Sequence, residues 1–177
     1  MGGNELQPLE ALRFFCSLSM NGDDWIACEK LFDALSAPQK VKVLRQHQSV
    51  RHDPSKGQWG DCFQTAIACV LGVDKSELPE MNGPEFDAEK QIATADAFLR
   101  TKGYRIIELT IVSSSIDAAL QWAGKASPDT VYIMTGGTSR GTCHSVLCKG
   151  SSFLHDPLPD GNFLIGPEIE TGTYSVI

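Results

Sequence analysis

Apolar positions recur along this chain at helical spacing first and at strand spacing later. Leu9, Leu12, Phe15 and Cys16, then Trp25, Cys28, Leu31, Phe32 and Leu35, return every three or four positions, which predicts two or three amphipathic helices up to about residue 46. Asn21-Gly22-Asp23-Asp24 separates the first two, and Ser36 caps the next with Pro38 in its first turn. The pattern turns polar over 48–60, around Pro54, Ser55, Gly57 and Gly60, and reads as a connector. From Asp61 a further helix carries Phe63, Ala66, Ile67, Val70 and Leu71 on one face and stops at Gly72. A short turn through Ser76-Glu77-Leu78-Pro79 comes next. Helices are then expected over 87–102, with Ile92, Ala95, Phe98 and Leu99 inward, and from Ser114 or Ser115 to Gly124, with Ile116, Ala119, Leu120 and Trp122.

β-Branched and aromatic runs predict strands over 104–112, 130–135, 145–148 and 153–155, and weaker ones at 163–165 and 174–177. Helices leading and short strands following is an α+β order, with N-terminal helices ahead of a small antiparallel β-sheet. The expected division is a helical N-terminal extension over 1–47 and a core domain over 48–177.

Composition narrows the possibilities. A length of 177 residues suits one domain with an appended piece. Hydrophobic content of 42% and charged content of 21% are those of a globular protein, and no apolar run is long enough for a bilayer span. A formal charge of −7 and the lack of any basic cluster beyond the scatter Lys40, Lys42, Arg45, His47 and Arg51 argue against nucleic acid as partner. The first seven residues lack the basic start and apolar stretch of a secretory signal, so a cytoplasmic location is expected. In that setting Cys16, Cys28, Cys62, Cys69, Cys143 and Cys148 are expected as free thiols.

One of these thiols stands apart. The stretch from Gly57 to Ala66 delivers Cys62 from a glycine-containing turn onto the first turn of a helix, where free N–H groups and the helix dipole favour thiolate. A thiol nucleophile needs a base, and the base needs a third group to orient it. His47 and His52 lie in the connector and His155 ends a strand, whereas His144 opens a strand after the loop from Gly136 to Gly141. A hairpin over 145–155, turning at Lys149-Gly150-Ser151-Ser152, brings the start of one strand near the end of the other and so places Asp156 near His144. The spacing predicts a Cys62-His144-Asp156 triad. A zinc site of Cys143, His144, Cys148 and His155 is the weaker reading, because no CxxC pair is present.

Gly60-Asp61-Cys62-Phe63-Gln64-Thr65-Ala66, then Cys143-His144-Ser145-Val146-Leu147, then His155-Asp156-Pro157 resemble the papain-like cysteine peptidases, in particular the C39-like branch with its small phage and bacterial members. The resemblance covers roughly 48–159. It implies a papain-like fold and a catalytic domain over 48–177. It also implies an oxyanion-binding glutamine, for which Gln58 is the nearest match, acting with the backbone N–H of Cys62. Trp59, Gly60, Gly137, Ser139, Arg140 and Cys143 are the candidate substrate-binding residues, although a core anchor is slightly favoured over a cleft wall for Trp59, and Ser139-Arg140 offers a site for a carboxylate or phosphate where an exposed loop arginine is usually just solvated. No cofactor and no metal are expected.

The function expected is a cysteine-dependent hydrolase that cleaves a peptide, isopeptide or other amide through an acyl-enzyme on Cys62. The alternatives are an acyltransferase or small-molecule amidase on the same triad, and a non-catalytic module that sequesters a host protein. Expected partners are a peptide or amide substrate or a host protein, without nucleic acid or membrane.

Overall fold

The apolar stripe read from Asp61 onward folds as helix α1, Cys62–Leu71, and Gly72 ends it in the left-handed conformation (φ 68°) with its N–H turned back to Ala68 O and Cys69 O. The structure is a computed structural model and describes residues 42–159, 161 and 163–177. The helices expected earlier in the chain, with Cys16 and Cys28, lie outside the described residues. Helix α2, Ala88–Thr101, starts where the Asp87 carboxylate accepts the Lys90 N–H at 2.8 Å. Helix α3, Ile116–Ala126, starts where Ser115 Oγ accepts the Ala118 N–H at 3.4 Å.

The strands are β1 (Leu109–Val112), β2 (Val131–Gly137), β3 (Cys143–Lys149), β4 (Ser152–His155) and β5 (Thr173–Val176). They form one five-stranded sheet in the order β1-β5-β2-β3-β4, and each neighbouring pair is antiparallel. Alternation along β2 and β3 sends side chains to two cores, so both faces of the sheet are covered. Ile133 and Leu147 pack with Phe63 and Ile67 of α1 and with Ala95 and Leu99 of α2. Tyr132, Met134, Val146 and Cys148 pack with Ala119, Leu120 and Ala123 of α3 and with Tyr174 of β5. Among the described residues the fold is therefore mixed, with three helices and a five-stranded antiparallel sheet, and none of these helices is long and apolar enough to cross a membrane.

Four local expectations differ from what is observed, each because a tertiary contact captures the backbone. Residues 42–46, read as the end of a helix, instead open an extended strap of residues 42–50 along α1: Leu44 N–H donates to Cys69 O at 3.1 Å and Gln46 N–H to Cys69 Sγ at 3.3 Å. The run 104–108 is drawn to α2, where Asp96 accepts the Ile106 N–H at 3.0 Å, so pairing with β5 starts only at Leu109. Gly136 and Gly137 extend β2 instead of belonging to the following loop, because Gly137 exchanges backbone hydrogen bonds with Gly166 and Ile165 (2.9 and 3.0 Å). That exchange takes up Ile165 at the end of the weak run 163–165, which forms no strand and leads into an isolated bridge at Gly166.

Leu147 is fully buried where β3 meets α1, so truncation leaves a cavity that the surrounding helix and strand cannot fill by relaxing. Leu147→Ala is expected to cost roughly 2–5 kcal/mol, read as a lowered midpoint in urea unfolding; a midpoint within error of the parent would contradict this packing.

Candidate active site

Cys62 owes its surroundings to what Asp61 does not do. Asp61 occupies the N-cap position of α1 yet makes no side-chain bond to the helix start. Its buried carboxylate turns to the strap instead, accepting the N–H of Ser49 (3.0 Å) and of Val50 (2.9 Å) and pairing with Lys75. Burial would push the Asp61 carboxyl up, but Lys75 and the two strap N–H groups hold it below the usual range. The opening N–H groups of α1 therefore stay uncapped, and that of Phe63 turns toward the Cys62 sulfur. Gly60 suits the approach to this helix because a Cβ there would lie 2.8 Å from His52 Cβ and 3.0 Å from His52 N.

His144 and Asp156 meet through a β-bulge. In the hairpin of β3 and β4, Lys149 pairs with Ser152 and Cys148 with Phe153, but Leu147 pairs with His155, so Leu154 is an extra residue on β4. Opposed residues in an antiparallel pair share a face. Continued one step, the pairing sets Asp156 across from Val146, on the face that His144 also shares. An unbulged ladder would oppose Asp156 to Ser145, on the other face. As built, His144 Nε2 donates to Asp156 Oδ1 at 2.7 Å, with both side chains buried.

The loop after β4 completes the carboxylate shell. Leu158 N–H donates to Oδ1 at 2.8 Å and Phe163 N–H to Oδ2 at 3.0 Å. Phe163 reaches it with φ 53°, the one non-glycine residue at positive φ among those described. Gly161 passes so close that any Cβ would overlap the Asp156 carboxylate.

With Nε2 committed to Asp156, the other edge of the imidazole serves the Cys62 thiol. Burial favours the neutral imidazole, yet the hydrogen bond to Asp156 and the bond and charge of Cys62 raise His144 from 6.5 to about 9. Burial likewise opposes the thiolate. The hydrogen bond and charge of His144, with the N–H groups of Ser145 and Phe63, nevertheless hold Cys62 below its ordinary 9.0. Asp156, pushed up by burial, is held below the carboxylate range by His144, Leu158 and Phe163. The arrangement favours a thiolate–imidazolium pair backed by a carboxylate, and Cys62 itself remains partly exposed.

Compared with known protein families, curated proteins and solved structures, the chain has no match in any of the three.

The other residues singled out from sequence have varied positions. Gln58 is exposed and closes a small hairpin by backbone pairing with Asp53; among the described residues no hydrogen bond joins its side chain to Cys62, His144 or Asp156. Trp59 is partly buried, its carbonyl accepting Asn82 Nδ2 at 3.5 Å. The backbone of Gly137 is occupied by the Gly166 and Ile165 bonds. Cys143, at the start of β3, is pushed up to about 11 by the protein around it, by Glu168 and Glu170 and by Cys62, so it stays a thiol. Ser139 and Arg140 line a cavity that also touches His144 and Asp156. Among the described residues no group of three or more His, Cys, Asp or Glu side chains is arranged to hold a metal ion.

Sequence reading passed over Gln48, Asp61 and Lys75. Gln48 donates its N–H to Pro157 O at 2.8 Å and its Nε2 to Val50 O at 2.9 Å, while Oε1 is buried with no partner among the described residues. Nothing local marks Gln48, since its importance arises from the strap. Asp61 carried a signal, an acid at an N-cap, that points to capping rather than to a clamp.

Because Cys62 ionises below 9.0 and His144 loses its proton near 9, alkylation of Cys62 by iodoacetamide should accelerate at a pH below the ordinary thiol range and hold a plateau. A second change should come near pH 9, when the imidazolium deprotonates. Asp156→Asn should bring that second change down toward 6.5, read as the rate against pH with the adduct located by mass spectrometry. A single rise centred at 9 would contradict the ion pair.

Proposed function

We propose that this protein is a cysteine-dependent hydrolase of papain-like architecture, related to the C39-like branch, which cleaves a peptide, isopeptide or other amide bond. The observation that carries the reading is the chain Cys62–His144–Asp156, in which thiol and imidazole are displaced toward their charged forms and the carboxylate is held ionised. Such a pair supplies both a nucleophile and a proton donor at neutral pH.

In this mechanism the Cys62 thiolate attacks the carbonyl carbon and the carbonyl π electrons move onto oxygen. The Cys62 N–H, at the uncapped start of α1, is the donor at hand for that oxyanion. As the tetrahedral intermediate collapses, the C–N bond breaks and the His144 imidazolium gives its proton to the leaving amine. The neutral imidazole then takes a proton from water, whose oxygen attacks the thioester. Collapse of the second intermediate releases the carboxylic acid and restores thiolate and imidazolium. Asp156 keeps the ring oriented, with Nε2–H donated to it throughout.

A thiol-reactive probe should label Cys62, and His144→Ala should slow labelling at pH 7 by roughly tenfold or more, because the thiol returns toward its ordinary ionisation. Cell extract incubated with Asp156→Asn protein should leave an acyl adduct on Cys62 whose mass identifies the acyl group. Equal labelling of the parent and of His144→Ala would remove the basis for this function.

A further inference from the structure

Cys143 is a thiol that the hydrolytic steps leave unused. Among the described residues four cysteines carry free thiols. Cys69 and Cys148 are fully buried, the first with its sulfur accepting the Gln46 N–H and the second in the core between the sheet and α3. Cys62 is partly exposed and Cys143 exposed, so these are the two of the four that solvent reaches.

The fold brings them to one place. Cys143 opens β3, and alternation puts it on the face of Ser145 and Leu147, opposite His144 and Val146. Leu147 packs in the core that holds Phe63 and Ile67 of α1, so Cys143 lies on the face that α1 covers, and α1 begins at Cys62. The Ser145 N–H turns to the Cys62 sulfur, which sets that sulfur beside a residue about 7 Å along the strand from Cys143. The Cα atoms of a disulfide stand about 4.4–6.8 Å apart, so closing a bond takes only a shift at the first residue of β3. Cys143 is placed to make that shift: it follows the turn at Gly141 (φ 74°) and pairs across with Gly137, which has no side chain. The two thiols also differ in reactivity. His144 and two N–H groups hold Cys62 toward thiolate, the form that peroxide oxidises, whereas Cys143 stays protonated.

We propose that Cys62 is a redox-sensing thiol and Cys143 its resolving partner, so that hydrogen peroxide closes a Cys62–Cys143 disulfide that silences the site until a dithiol reopens it. This rests on Cys62 being the reactive thiol of the proposed hydrolase. The Cys62 thiolate attacks one peroxide oxygen, the O–O bond breaks, and the departing hydroxide takes the His144 proton and leaves as water. Cys62 is then a sulfenic acid, oxidised by the two electrons that reduce the peroxide. Its negative charge is gone, and with it one of the causes that keep Cys143 protonated. The Cys143 sulfur attacks the Cys62 sulfur, the S–O bond breaks, and hydroxide leaves with the Cys143 proton as a second water. The disulfide leaves Cys62 no thiolate to attack a carbonyl, and it also keeps Cys62 from further oxidation to the sulfinic acid, which thiols do not reverse.

The full chain, reduced and then freed of reductant, is treated with hydrogen peroxide at pH 7 and low protein concentration. Intact mass, peptide mapping without reductant and iodoacetamide labelling of Cys62 are read before oxidation, after it and again after dithiothreitol. The parent should become two hydrogens lighter, with the Cys62 and Cys143 peptides joined. Labelling of Cys62 should fall by about tenfold or more and return after dithiothreitol. In Cys143→Ser no link should form, Cys62 should gain two oxygens, and dithiothreitol should not restore labelling. Cys62 left reduced, oxidised without a bond to Cys143, or joined to another cysteine overturns the resolving role while Cys62 remains the reactive thiol, as does full recovery of labelling in Cys143→Ser. Failure of iodoacetamide to label Cys62 before oxidation overturns the reactive thiol and the disulfide together.

Discussion

Burying the His144–Asp156 pair is the constraint around which the site is built. Two side chains that carry charge cannot leave water without hydrogen bonds to their remaining atoms, because the desolvation cost of each ion is several kcal/mol. The chain meets this by folding the segment after β4 over the carboxylate, with Leu158 and Phe163 donating N–H groups and Gly161 clearing the space. The positive φ of Phe163, a conformation costing about 1–3 kcal/mol, is held there by the bond it makes possible. The same shell keeps Asp156 ionised and so keeps the imidazole cationic.

The strap of residues 42–50 ties this pair to Cys62. Gln48 donates its N–H to Pro157 O, immediately after Asp156, and the next two residues donate theirs to Asp61, immediately before Cys62. Gln46 O also accepts His155 Nε2 at 2.6 Å, and Gln46 Nε2 reaches Val73 O at 2.6 Å beyond the end of α1. Three consecutive residues thus bridge the flanks of the acid and of the thiol. That accounts for an Asp at the N-cap that does not cap: its carboxylate holds the strap with Lys75, and the helix N–H groups it leaves open help the Cys62 thiolate.

Much of this was legible from local pattern. The helix of Cys62, its end at Gly72, the cap at Ser115 and most strands follow from short-range preferences, which depend on residues a few positions apart. The candidate triad could be read because its residues sit at element boundaries: Cys62 opens α1, His144 lies near the start of β3 and Asp156 follows β4. The extended strap, the capture of 104–108 by Asp96 and the bridge at Gly166 were not legible. Each is a backbone group finding a partner far along the chain, which no local window contains.

The sequence by itself determined the inventory: a thiol at a helix start, a histidine and an aspartate flanking a hairpin, and a glycine-containing loop with an arginine beside them. Tertiary structure decided whether they meet. A regular hairpin from the same residues would set Asp156 and His144 on opposite faces of the sheet, since strand alternation has a period of two. The extra residue Leu154 restores the shared face. Its side chain packs with Leu147 in the core against α1 while Phe153 packs on the other side with Cys148. Which residue bulges is set by how those two cores fill, so the pairing of His144 with Asp156 was settled by packing across the whole sheet.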